Sequence, residues 1–456
     1  MRLPPSLPLP PPLQTLFWIR RPTDLLQLCQ RRYGNAFRLK LMPFGFSLFS
    51  DRESIRAIFA AKSDEMHAGE VNRILRVVVG DSSVLLLDGA EHMRHRKLLL
   101  PSFHGERMRF YGETMAAITR EAIAGWQEDT PFALHTHTQE ITLQIILRTV
   151  FGADEGAQLH ALHEQIKHML SAAEHRISLP IIIYMSTHPV LETRAPFKWL
   201  LKRREGTDRL LYQQIAERRR DPGGAQGLSQ RKDVLAMLMQ ARDEDGEPLT
   251  DRELRDELMT ALAAGHETTA TALAWAFERI LSTPGVYAKL REELEAIGGS
   301  DAPPERIAAL PYLDATIKEV LRLRPVIPVV GRVLKEPTTL GGYELPAGTA
   351  VGACIYLAHR NPDVYPEPDA FRPERFLNNP PDPVSWLPFG GGIRRCIGAQ
   401  FATYEMKIVL GVMLASCDFE LAQPTPAKVR RRAITFWPEG GTRVRIKRRV
   451  KMPIAA

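Results

Sequence analysis

The ten residues Phe389 to Gly398, F-G-G-G-I-R-R-C-I-G, constrain this chain more than any other stretch. One cysteine, Cys396, lies in a loop with four glycines, Gly390, Gly391, Gly392 and Gly398. Glycine serves where a backbone must turn left-handed or admit a bulky group at close range. The next segment, Ala399 to Met413, spaces Phe401, Ala402, Met406, Val409 and Leu410 as a helix would, which sets Cys396 just ahead of a helix N-terminus. The positive end of that dipole favours a thiolate. Such a sulfur can ligate a metal, attack a substrate or remain an inert buried thiol, and the loop alone leaves all three open.

The rest of the chain narrows the setting. Its 456 residues contain no long polar linker, so residues 1–22 are read as a proline-rich N-terminal segment and 23–456 as one domain. Four scattered cysteines (Cys29, Cys354, Cys396, Cys417) form no C-x-x-C pair, which suits a reducing cytoplasm and disfavours a disulfide framework or structural zinc. The net charge of +7 gathers at Arg218 to Arg220, Arg430 to Arg432 and Lys447 to Lys451; solvated surface is the preferred reading, and no nucleic-acid partner is expected. Prolines break the apolar start, and no stretch offers about eighteen uninterrupted apolar residues, so no transmembrane anchor is expected. Leu13, Leu16, Phe17, Trp18 and Ile19 are free to touch a membrane surface, although packing on the body is preferred.

Taken in order, Ala36 to Leu41 and Phe46 to Phe49 read as strands of a small N-terminal sheet. Asp88 opens a helix on which His92 and Arg96, four apart, share a face and can hold an anion. From Met108 to about Met239 the pattern is largely helical. His135, His137, His160 and His163 lack the company of further convergent ligands that zinc requires. The apolar run Leu179 to Met185 reads as core, and Arg220 to Gly227 as an exposed connection. Thr250 with Glu253 has capping-box spacing and starts a helix to about Leu281. In its middle Ala264-Gly265-His266-Glu267-Thr268-Thr269 sets weak helix formers among apolar neighbours, which predicts a local distortion. Glu319 and Arg322 can pair on one helical face, Val329 to Val333 and Thr338 to Leu345 read as strands, and Ala433 to Trp437 with Thr442 to Ile446 as a hairpin.

Phe389, Gly392, Arg394, Cys396 and Gly398 fill the pattern F-x-x-G-x-R-x-C-x-G, which resembles the haem-binding loop of the cytochrome P450 family. Ala264 to Thr269, Glu319 with Arg322, and Phe371 to Phe376 resemble three further family motifs in the family's order. The resemblance implies a mainly α fold with small β-sheets and a long central helix over haem b. It implies that Cys396 is the axial iron ligand, with Phe389 and Gly398 beside it, and that His92, Arg96, Arg332 and Arg394 serve the haem propionates. Glu267 and Thr268 become the acid and alcohol that relay protons to bound O2, and Glu319, Arg322 and Arg375 a structural brace. Ile181 to Ile183 would roof the substrate cavity, with Val77 to Val79, Val326 to Val330 and Phe436 also along its walls.

The implied activity is insertion of one oxygen atom from O2 into a lipophilic small molecule. With no fused flavin expected, electrons would come from a ferredoxin or flavodoxin with its reductase, docking near Arg94, Lys97 and Arg395. A peroxide-driven peroxygenase and a non-catalytic haem sensor are the alternatives, and neither needs the Glu267-Thr268 pair.

Overall fold

The capping box at Thr250 forms: its hydroxyl accepts from the Glu253 N–H at 3.2 Å, and the Glu253 carboxylate accepts from the Thr250 N–H at 2.7 Å. From there Asp251–Leu281 is one α-helix of 31 residues, about 45 Å long at ~1.5 Å per residue. Burial sustains it, since Leu254, Leu258, Leu262, Leu273 and Trp275 are all sealed from solvent. The helix Leu134–Phe151 packs along it. The expected distortion is not seen, because the weak formers are accommodated within a regular helix. Gly265 lies at the crossing, where a Cβ would come 3.2 Å from the Ile146 side chain. One turn on, the Thr268 hydroxyl donates to the Ala264 carbonyl at 2.6 Å.

The computed structural model describes residues 3–42, 45–103, 107–152, 157–174, 198–220, 224–422 and 427–449. The Leu179 to Met185 run lies outside these, as does part of the Arg220 to Gly227 connection. Helices dominate, and the strands fall into small sheets. The largest has five strands in the order Ala36–Lys40, Gly45–Phe49, Ala350–Cys354, Val329–Leu334 and Met66–His67. Gly45–Phe49 runs parallel to Ala350–Cys354, and the remaining neighbours are antiparallel. The proline-rich start is tied to this sheet: Pro11–Arg20 is a helix, and Leu7 and Trp18 share an apolar cluster with Leu25, Phe37 and Phe436.

The expected C-terminal hairpin is corrected. Thr435–Pro438 pairs with Val429–Arg432, while Arg443–Arg449 pairs with Cys417–Leu421 and Phe132–Ala133. The tight turn falls at Ala433, which takes a left-handed φ of 49° without being glycine. Gly440 and Gly441, also left-handed, separate two sheets instead of joining two strands. Of the basic run Arg218 to Arg220, Arg219 and Arg220 are exposed as expected, whereas Arg218 is buried against Asp233 and the Phe151 carbonyl.

On the helix Pro311–Leu323, Glu319 and Arg322 form a fully buried bidentate pair at 2.7 and 2.8 Å. Arg322 also donates to the carbonyls of His359, Pro368 and Ala370, and Arg375 reaches Glu319 at 3.3 Å. Truncating one member of a buried pair strands the other charge. Glu319→Ala and Arg322→Ala should each lose about 3–5 kcal/mol in denaturant titrations. Arg375→Ala, which leaves the Glu319–Arg322 pair intact, should lose clearly less.

Candidate active site

Cys396 and the centre of the long helix open onto the same space. A cavity of 3280 Å³ is lined by Cys396, Phe389 and Gly398 on one side and by Ala264, Gly265 and Thr268 on another. Ala264 is exposed although most of its helix is buried, because this cavity lies in front of it. Cys396, itself exposed, lines the same space.

The loop that presents Cys396 owes its shape to its glycines. Gly390 and Gly392 have φ of 66° and 62°. A Cβ on Gly392 would sit 1.9 Å from the Phe59 carbonyl oxygen, and one on Gly391 would meet the Phe59 ring at 2.6 Å. The loop is thus laid tightly on the helix Arg52–Ala60. The Cys396 N–H donates to the Phe389 carbonyl at 2.9 Å, and Ala399–Ser416 begins just beyond. Burial pushes the Cys396 thiol up, while the Gly398 N–H and the charges of Arg96 and Arg395 pull it back.

His92, Arg96, Arg332 and Arg394 all line the cavity. Arg394 donates to the carbonyls of Val84 and Leu87 and to Asp88; Arg96 donates to the Arg395 carbonyl at 2.8 Å, and Arg332 to the Gly331 carbonyl at 2.8 Å. Burial holds His92 neutral, down to about 3, helped by repulsion from Arg394, Arg96 and Arg332. Burial also brings Arg332 and Arg394 down to about 10, with Asp88 the carboxylate that opposes this in both. The Nδ1 of His92 is buried without a partner among the described residues. Cations crowded around a cavity with one countering carboxylate, beside an orphaned ring nitrogen, fit a ligand bearing two carboxylates. The residues present therefore suit the haem propionates.

Glu267 and Thr268 diverge. Thr268 lines the cavity, whereas Glu267 is turned into an ionic network: it accepts from Gln139 at 2.6 Å and lies 3.5 Å from His135 and 3.6 Å from Arg432. Burial would raise its carboxyl, but His135, Arg432 and His266 together hold it down to about 2. Histidine 135, which the sequence offered only as a failed zinc ligand, thus acts on the acid, and also meets Thr271 at 3.1 Å. Among the described residues, no group of three or more His, Cys, Asp or Glu side chains could hold a metal ion.

A second acid had no signal in the sequence. Glu405 is fully buried on the Ala399–Ser416 helix, and burial raises its carboxyl well above the ordinary range, with Thr269 of the central helix as its neighbour. Other expectations shift in detail. Val77 and Val79 are packed in the interior, and Ile74 and Leu75 take their place on the cavity wall. Phe436 is core, whereas Trp437 reaches the cavity; Val326 to Val330 line it as expected. Ile181 to Ile183 lie outside the described residues. Arg94 is committed to Asp243 and Glu253 and Lys97 is paired with Glu244, while Arg395 stays exposed.

A lone sulfur facing a broad cavity rimmed by undercompensated cations suits an iron-holding macrocycle with anionic arms, and this defines the class as haem-thiolate. The chain belongs to the cytochrome P450 family: residues 4–441 match the family model of that description. It is 39% identical over 448 residues to cytochrome P450 135B1 of Mycobacterium tuberculosis, covering 98% of this chain and 92% of that one. Cytochrome P450 138 of Mycobacterium bovis is 35% identical, covering 98% and 97%. The retinoic acid-bound cyanobacterial CYP120A1 superposes with a TM-score of 0.83 at 25% identity, over 99% of this chain and 100% of that one. The protein is accordingly an oxidoreductase of the P450 type.

Glu405 gives a pH test of the site's architecture. A carboxyl raised in the native state keeps its proton while the unfolded chain releases it above about 4.3, so stability falls as pH rises through that window. Glu405→Gln removes this loss. Its stability relative to the parent should climb by about 1.4 kcal/mol per pH unit above ~4.3, until the native carboxyl itself titrates. Denaturant titrations of the haem-loaded protein between pH 5 and pH 8 would read it, and parallel pH profiles would contradict a protonated Glu405.

Proposed function

We propose that this protein is a haem-thiolate monooxygenase that inserts one atom of O2 into a lipophilic small molecule, by hydroxylation or epoxidation, the other atom leaving as water. Two electrons come from a separate ferredoxin or flavodoxin with its reductase. The observation that carries the reading is the convergence of Cys396 and Thr268 on one cavity with the cations Arg96, Arg332 and Arg394 and the neutral His92. Haem b, when bound, supplies O2 activation, and thiolate ligation favours O–O cleavage.

The chain's own residues do the rest. Cys396 is the iron ligand, fixed by its N–H bond to Phe389 and by the glycine contacts with Phe59. His92, Arg96, Arg332 and Arg394 bind and orient the cofactor's carboxylates. Thr268 holds a proton at Oγ1 beside the cavity, where a hydroxyl both donates and accepts. Glu267, ionised beside His135 and Arg432, is the carboxylate that would accept protons and pass them on toward it. The lipophilic substrate is supported by Val326, Ile327, Val329 and Val330 on the wall. The retinoic acid of CYP120A1 is itself a lipophilic acid, which accords with that class without naming the substrate here. Among the described residues no helix is long and apolar enough to cross a membrane, which is compatible with a cytoplasmic enzyme.

A peroxygenase or a haem sensor would leave Thr268 without a task. Thr268→Ala should retain haem and the thiolate-type carbon monoxide spectrum while product per electron consumed falls, on the order of 10²-fold if Thr268 is the proton donor. Unchanged coupling would remove the relay, and equal turnover with peroxide alone would favour the peroxygenase. Separately, Cys396→His should lose the thiolate-type band of the reduced carbon monoxide complex; a variant that keeps it would overturn the ligand.

A further inference from the structure

The helix Pro11–Arg20 buries Trp18 in the core and yet keeps further apolar side chains on its exposed side. Its inward face buries Gln14 completely, the side-chain amide donating to the carbonyls of Leu9 at 2.8 Å and Leu7 at 3.2 Å and accepting from the Lys40 N–H at 3.0 Å. Its outward face carries Leu13, Leu16 and Ile19, spaced three apart so that they share one stripe. Leu3, Met42 and Ile434 are exposed too, and across these six residues exposure runs from 39% to 56%. Met42 is tied to the helix through its N–H, which donates to the Thr15 hydroxyl at 3.0 Å, and the strand before Ile434 through Arg430, which donates to the Arg20 carbonyl.

These residues do more than share a face. Leu3, Leu16, Ile19, Met42 and Ile434 all line the outer end of the cavity that reaches Cys396. Around them stand Arg20, Arg21 and Lys40, all exposed, with no carboxylate partner among the described residues. The acid that also lines this end, Glu439, is held by Arg430. An apolar stripe bordered by free cations is the composition of a surface that meets lipid, where apolar side chains enter the headgroup boundary and basic ones meet phosphate.

We propose that this face docks on an anionic phospholipid surface, with Leu13, Leu16 and Ile19 entering the interface and Arg20, Arg21 and Lys40 facing the phosphates. The cavity then opens toward the lipid phase, from which a lipophilic substrate can enter without crossing water. Docking stands on the exposed stripe alone; entry from lipid rests additionally on the substrate class proposed above.

The test is co-sedimentation of the haem-loaded protein with vesicles of phosphatidylglycerol and phosphatidylcholine, against phosphatidylcholine alone. Binding should require the anionic lipid and weaken with added salt, since attraction to the surface falls off within a Debye length, about 10 Å at 0.1 M. Leu16→Asp with Ile19→Asp should weaken it at least tenfold, and so should Arg20→Glu with Arg21→Glu, which leaves the apolar stripe in place should the first pair fail to fold. No binding to anionic vesicles, or equal binding by parent and both variants, would overturn docking. Self-association of the parent that the Leu16→Asp pair abolishes, seen by sedimentation velocity without vesicles, would assign the face to a second copy instead. If docking holds but substrates in vesicles are turned over no faster by parent than by the charge variant, entry from lipid falls and docking stands.

Discussion

A carboxylate and a guanidinium sealed from water, Glu319 and Arg322, hold the sulfur side of this molecule together. Neither charge is tolerable alone in the interior, and each is saturated by the other and by backbone. Arg322 gathers the carbonyls of His359, Pro368 and Ala370, while Glu319 takes the Arg372 N–H. The imidazole of His359 extends the arrangement: its Nδ1 meets the Arg322 carbonyl at 2.9 Å, and its Nε2 accepts from the Leu387 N–H at 2.7 Å. Leu387 lies two residues before Phe389, whose carbonyl holds the Cys396 N–H. An ion pair far from any chemistry thereby fixes where the loop starts.

Behind the cavity, on the central helix and on the helix that follows Cys396, lie two carboxyl groups in contrasting surroundings. Glu267 has His135, Arg432 and His266 around it, which hold its carboxyl low; Glu405 is fully buried beside Thr269, and burial raises its carboxyl well above the ordinary range. Both belong to elements that pack on each other through the centre of the protein. Environment, not residue type, decides which acid carries a proton and which carries a charge.

What could be read from the chain follows from how local each signal is. The cysteine loop and the Thr250 capping box are written within a few residues, and both form. The ionic partners of Glu267 come from a different helix and from the C-terminal sheet, so no spacing rule connects them. Glu405 carries no sequence signal, and only its burial beside Thr269 gives it a distinct state. The C-terminal strands were mispaired because turn chemistry pointed to Gly440 and Gly441, whereas the chain turns at Ala433. Strand partners are chosen by what lies across the core, which a single sequence does not spell out.

The contact between Arg394 and the Leu87 carbonyl spans 307 residues, and Gly392 is laid against Phe59 from the other end of the chain. The sulfur, with Arg394 two residues away, is therefore a stranger during synthesis to His92 and Arg96. The Cys396 loop must leave the ribosome before the two can meet, so this chain has no early, partial version of its pocket to fill. Its prosthetic group is a late arrival by topology.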